Sequence, residues 1–174
     1  MKPHTRRRSI RLQNHDYSQP GAYFVTICTY ERECLFGHIQ DGAINYTIFG
    51  EIVCQEWSRS ETIRQEIHID VYVVMPNHIH GIVVITHSDG IVGAHGRAPL
   101  HRSPRSLGSF IAGFKSVVTR RINQTRGTPG SPVWQRNYYE HVIRSEDELL
   151  RTRKYILNNP ARWFEDPDNP IHAS

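Results

Sequence analysis

The residues best suited to chemistry in this sequence are His78 and His80, in the run Pro76-Asn77-His78-Ile79-His80. In an extended strand, residues i and i+2 share a face, so an H-x-H pair opening a strand directly after a turn brings two imidazoles together. Neighbouring imidazoles suit a divalent metal ion. A bare H-x-H is more often two partly exposed strand histidines, so the weight of the pair depends on what the rest of the chain can bring to it.

A helix near the C-terminus can bring a nucleophile. Ser145-Glu146-Asp147-Glu148 reads as a capping box, and Pro160 stops the helix it starts at about Asn159. At ~100° per residue, Leu149, Leu150, Ile156 and Leu157 form the expected core stripe, and Tyr155 and Asn159 lie off it, side by side at i and i+4. A phenol with a pKa near ~10 attacks phosphorus only with help, from a metal that polarises the phosphate and a basic field that favours phenolate. Two histidines, the Asn159 amide oxygen and a substrate phosphate would complete such a metal site.

Other residues compete for these roles. Tyr138 and Tyr139 are rival nucleophiles beside Arg136, although adjacent strand residues point to opposite faces, which leaves one of them to the core. Glu140 and His141 could move protons or simply stabilise a strand end. Trp134 could stack a base but suits core packing better. His68 and Asp70 alternate on the strand before the turn, where they could back up a ligand histidine.

The charge distribution points to a polyanion. The 174 residues carry a formal charge of +4, unevenly spread. Lys2, Arg6, Arg7, Arg8 and Arg11 crowd the N-terminus. From Gly90 to Tyr139 the chain holds Arg97, Arg102, Arg105, Lys115, Arg120, Arg121, Arg126 and Arg136 with no Asp or Glu. Guanidinium forks in an acid-free field suit phosphate oxygens, so nucleic acid is the first partner to consider; the plain alternative is a solvated basic face.

The elements that must position these groups follow from pattern and punctuation. Ala22 to Thr29 reads as a strand, about 50–65 as a helix, and Ile67 to Met75 and Ile79 to Thr86 as two strands of a hairpin closed at Pro76-Asn77. Residues 87–104 read as a long loop, Leu107 to Ile122 as an amphipathic helix, Val133 to Ile143 as a strand, and 145–159 as the last helix. The order β-α-β-β-α-β-α predicts one α+β domain, a ferredoxin-like split βαβ antiparallel sheet with helices on one face and the tyrosine on the C-terminal helix. Residues 1–20 are read as a basic arm and 164–174 as a tail. Cys28, Cys34 and Cys54 have no C-x-x-C spacing, no apolar run can span a bilayer, and no signal-peptide core follows the N-terminal cations, so a reducing cytoplasm is expected. Gly108 to Gly113 has phosphate-loop glycine spacing, but Phe114 stands where Lys is needed.

Several of these motifs together resemble one family. Tyr72-Val-Val-Met-Pro-Asn-His-Ile-His80, Trp134-Gln135 through Tyr138-Tyr139-Glu140-His141, and Tyr155-Ile-Leu-Asn-Asn-Pro160 look like the REP-associated tyrosine transposases, of the HUH class of single-tyrosine transposases of small bacterial insertion sequences. Tyr23-Phe-Val-Thr-Ile, Arg32 and Leu35-Phe36-Gly37 fit the same pattern, so the likeness spans about residues 5 to 163. It implies a nicking and joining enzyme that needs Mg2+ or Mn2+ and no ATP. His78, His80 and Asn159 would hold the metal, and Tyr155 would attack a single-stranded DNA phosphate, leaving a 5′-phosphotyrosine and a 3′-hydroxyl. The implied partner is single-stranded or hairpin DNA, held by Arg6, Arg7, Arg8, Arg11, Arg102, Arg105, Lys115, Arg120, Arg121 and Arg136, in a cytoplasmic, nucleoid-associated protein with no membrane contact. Two other readings stay open: a domesticated hairpin DNA- or RNA-binding module without cleavage, and a metallohydrolase in which His141 is a third histidine ligand. The sequence also leaves open whether the site forms within one chain or between two copies in a homodimer.

Overall fold

The computed structural model describes residues 19–86, 106–166 and 168–172. Strand β1 (Gly21–Cys28) alternates strictly: Tyr23, Val25 and Ile27 are buried in the hydrophobic core, and Phe24, Thr26 and Cys28 face the other way. It lies inside a four-stranded sheet of order β4-β5-β1-β6, antiparallel throughout, with β4 at Ile67–Met75, β5 at His78–Ile85 and β6 at Tyr139–Ile143. The Pro76-Asn77 turn joins β4 to β5, so His78 pairs with Met75 on one side and Cys28 on the other.

Helices α1 (Ile48–Ile63) and α2 (Leu107–Arg126) cover the Tyr23, Val25 and Ile27 face. Trp57 of α1 stands edge-on to Phe114 of α2, with ring centroids 4.8 Å apart, and packs over Gly81 of β5. Both helices are capped by side chains, Thr47 accepting from the Gly50 N–H and Ser106 from the Ser109 N–H, and α2 ends at left-handed Gly127. Helix α3 (Glu146–Asn158) crosses the opposite face, against β4 and β5, and a hydrogen bond from Arg153 Nε to Asp70 Oδ2 of 2.8 Å ties it there. With helices on both faces, β5 is buried over most of its length, which takes His78 and His80 out of water. No helix among the described residues is long and apolar enough to cross a membrane.

The α+β antiparallel sheet matches the sequence expectation, but the helices do not keep to the single face expected: α3 lies opposite α1 and α2, because the second face also presents rings, Phe24 and His80, against which Tyr155 packs. Three further differences are of detail. A second sheet, the hairpin β2 (Gly37–Gln40) and β3 (Ala43–Tyr46), stands before α1. Its Asp41-Gly42 turn has positive φ at both residues, as a tight hairpin of this kind demands. The strand expected from Val133 is confined to β6. Upstream only a Thr29–Trp134 bridge forms, and Lys115 Nζ of α2 takes up the carbonyls of Gln135 and Asn137. The stretch after Asn159 folds back over the sheet as 3-10 turns at Pro160–Glu165 and Pro170–His172.

At Gly50, α1 packs tightly against Phe36 and the hairpin residue Tyr46. A Cβ there would stand 2.1 Å from the Phe36 carbonyl oxygen and 2.8 Å from the Tyr46 ring. Backbone cannot yield as a side chain can, so Gly50→Ala is expected to destabilise the fold by about 1–3 kcal/mol, visible as a lower urea midpoint.

Candidate metal and nucleophile site

The turn before β5 sets the geometry of the site. Asn77 is fully buried, and its Nδ2 donates to the backbone carbonyls of Arg32 at 3.1 Å and Asp168 at 2.7 Å. Those two bonds turn its Oδ1 to His78, so Nδ1 of His78 must carry the proton it donates at 2.8 Å. The Nε2 lone pair of neutral His78 is thereby left facing the site. His80 is held similarly, with Nδ1 2.8 Å from Thr26 Oγ1 and its ring stacked on Phe24. Burial, with the Arg32 charge, pushes His78 down to about 3, and burial beside His78 holds His80 well below its usual value. Both imidazoles are neutral at physiological pH, the form that ligates metal.

Helix α3 and the turn after it bring the other groups. The phenol oxygen of Tyr155 is 3.2 Å from His80 Nε2, and the ring packs edge-on to Phe24. Nε2 of His78 lies 3.9 Å from Asp166 Oδ2, and one ligand atom from each of His78, His80 and Asp166 fits within 4.8 Å of the others. His78 Nε2, Asp166 Oδ2 and Asn159 Oδ1 are buried without a hydrogen-bond partner among the described residues. Buried acceptors are costly when unpartnered, and a divalent cation supplies what several converging acceptors lack. The donor set of two imidazoles and a carboxylate fits such an ion.

The same burial that neutralises the histidines raises the Tyr155 phenol, with the Asp166 carboxylate adding to the rise and a hydrogen bond from Asn159 opposing it. Asp166 is itself raised by burial. Its backbone neighbours fix it in place: Asp168 N–H donates to Asp166 Oδ1, and Arg32 pairs with the Asp168 carboxylate.

The structure brings together four residues singled out in the sequence, His78, His80, Tyr155 and Asn159, and adds Asp166 and Asn77. Asp166 carried no signal: it follows an irregular turn, 86 positions beyond His80. Asn77 did carry one, as the residue before the H-x-H pair in a tight turn. The expected core stripe of α3 is corrected. Leu150 and Leu157 are exposed, at 52% and 65%, whereas Ile156 and Asn159 are buried, so the inward side is rotated toward the tyrosine.

His141 does not join the cluster but bonds Glu148 at 2.6 Å, which removes the three-histidine arrangement. His68 pairs with Glu61, and Asp70 with Arg153. Tyr138 packs against the core while Tyr139 stays exposed, and Trp134 is buried against Phe36 and Phe114.

Of the candidate DNA ligands, Arg6, Arg7, Arg8, Arg11, Arg102 and Arg105 lie outside the described residues, as does the whole of the 87–104 loop. Lys115, Arg120 and Arg136 line a cleft of about 870 Å³ between α2 and the 129–138 segment. Arg121 is instead a strut between helices, bonded to Glu56 at 2.6 Å and Gln55 at 2.9 Å.

Because Asn77 orients both His78 and the backbone that carries Asp166, Asn77→Ala is expected to weaken Mn2+ affinity by ~10–100-fold, the usual cost of losing an outer partner of a ligand. Calorimetric titration of the chelator-treated protein checks this, with Asn77→Ser as a partial rescue.

No protein-family model matches the chain. An uncharacterized protein of Haemophilus influenzae is 38% identical over 168 residues, which is 92% of this chain and 91% of its own. A second Haemophilus influenzae protein, named for the REP-associated tyrosine transposases, is 23% identical over 155 residues, 84% of this chain and 74% of its own. Among solved structures, a REP-associated tyrosine transposase bound to a REP hairpin superposes with a TM-score of 0.58 at 17% identity, covering 88% of this chain and 74% of that one. That last likeness is one of fold.

Proposed function

We propose, from the premise that this chain belongs to one family with its Haemophilus influenzae relative and is similar to the REP-associated tyrosine transposases in sequence and fold, that it nicks and rejoins single-stranded DNA beside hairpins, using Tyr155 as nucleophile. The observation that carries this reading is the Tyr155 phenol 3.2 Å from His80 Nε2, at the edge of the His78, His80 and Asp166 cluster. A nucleophile and a set of unpartnered buried ligands at one point match phosphoryl transfer better than binding alone.

In this mechanism Tyr155 Oη attacks the scissile phosphorus, the P–O3′ bond breaks, and the chain is left with a 5′-phosphotyrosine. The proton lost by the phenol is balanced by the one taken up by the departing 3′ oxygen. Attack by a 3′-hydroxyl on the phosphotyrosine reverses the step and joins a new junction, so the bond energy is kept and no nucleotide is consumed. His78, His80 and Asp166 would hold Mg2+ or Mn2+, whose charge polarises the phosphate and favours phenolate. Asn159, which opposes the rise of both the phenol and Asp166, would steady Tyr155 in reach of the phosphate. The hairpin would sit in the basic cleft of Lys115, Arg120 and Arg136, whose 129–138 wall is bonded through the Gln135 N–H to Cys28, the residue paired with His78.

The test is incubation of the purified protein with end-labelled hairpin DNA carrying single-stranded flanks, with Mg2+ or Mn2+ and with chelator. A denaturant-stable protein–DNA adduct that appears only with metal supports the reading. Tight binding without adduct under either metal would replace it with the binding module.

A further inference from the structure

The basic block of α2 lies across the sheet from α3, which carries Tyr155. Two clefts of about 320 and 310 Å³ meet at Tyr155 and Arg151, on the face of the sheet that carries the site. Arg151 and Lys154 stand one turn apart along the first cleft, and Arg162 follows in the 3-10 turn. The acids that line the two clefts are engaged. Glu148 accepts from His141 and from the Arg144 N–H, and Asp166 belongs to the metal cluster. Glu165 pairs with Arg162 at 3.0 Å, but both side chains are 68% exposed, a contact that water and salt weaken and a phosphate can displace.

We propose that Arg151, Lys154 and Arg162 form the track for the scissile single strand, contacting the phosphates that flank the bond Tyr155 attacks. This rests on the transesterification reading for its purpose, but the binding it describes is separable from cleavage. The three cations line one side of the nucleophile, from α3 to the turn that carries Asp166, and lead a polyanion past the phenol. Single-stranded DNA is the ligand they fit, because the 310 Å³ cleft continues the track along the ring of Phe24, an apolar wall suited to an unpaired base. The larger cleft on α2 is left for the folded stem.

The experiment measures affinity in chelator, from 50 to 200 mM salt, for a fluorescein-labelled single strand without a stem. The wild type, the triple variant Arg151→Gln/Lys154→Gln/Arg162→Gln and the control Arg120→Gln/Arg136→Gln are compared, each with its melting curve. Each lost phosphate contact takes about 0.7 from the slope of log K on log salt for single strands, so the triple variant is expected to lose about 2 and the control none. Arg151→Lys/Lys154→Arg is expected to keep the wild-type slope. A triple variant with the wild-type slope, or a control that loses as much, overturns the track. A wild type that shows the slope and its loss in the triple variant, yet forms no adduct with Mg2+ or Mn2+, removes the transesterification reading and leaves the track standing.

Discussion

Tyr155→Phe is expected to abolish the covalent adduct and strand cleavage together, by on the order of 10⁴-fold or more, with hairpin affinity unchanged. The substitution removes one oxygen and keeps the ring, so the edge contact with Phe24 at 6.0 Å persists. What is lost is the atom 3.2 Å from His80 Nε2, at the edge of the metal cluster. Tyr139→Phe serves as the matched control: its ring also stands near Phe24, at 6.1 Å, but it is Tyr155 whose oxygen meets His80. Adduct yield on denaturing gels reads both. An adduct that survives Tyr155→Phe and disappears with Tyr139→Phe moves the nucleophile to the strand and sinks the assignment.

Asp166→Asn is expected to weaken Mn2+ binding by more than the ~10–100-fold that loss of an outer partner costs, and to lower adduct formation with it. The amide keeps the size and can still accept from the Asp168 N–H, so the turn holds its shape. It lacks the negative charge that a divalent ion draws to a site otherwise built of two neutral imidazoles. The comparison with Asn159→Ala separates the two candidate third ligands. Asn159 lies beside the phenol and Asp166 and opposes the rise of both, so its loss is expected to affect adduct rate more than metal affinity. If calorimetry finds Asp166→Asn binding Mn2+ as the wild type does, and Asn159→Ala not binding, the third ligand is the amide.

These two predictions differ in how far the sequence could have led to them. The histidine pair was legible because its geometry belongs to one strand: a period of two sets both rings on one face wherever that strand lies. Tyr155 and Asn159 were legible as neighbours for the same reason, through the helical period. The face that α3 buries was not. Leu150 and Leu157 carried the apolar signal yet stay exposed, because docking of α3 is directed by Ile156 and by polar ties such as Arg153 to Asp70. The β2–β3 hairpin leaves a mark in Asp41-Gly42, but its strands, four residues each and only half apolar, are too short to show a period.

Charge behaved in the same way. The acid-free run from Gly90 to Tyr139 spoke for a polyanion, but composition along a chain does not say which cations share a surface. Tertiary structure turned Arg121 inward to Glu56, left Arg120 and Arg136 in the α2 cleft, and put Arg151, Lys154 and Arg162 beside the tyrosine from a segment also rich in acids.

The sequence by itself determined the order of the four main-sheet strands and three α-helices, the pairing of the two imidazoles and the presence of a tyrosine one helical turn from an amide, because each is settled by backbone periodicity within a single segment. Only the tertiary structure decided that Asp166 meets His78, that Asn77 bonds both the histidine and the turn carrying that carboxylate, and that α3 lies on the face opposite α1 and α2. Those meetings depend on how the chain closes over 80 and more residues, where the burial of the whole sheet, and no local rule, selects the partners.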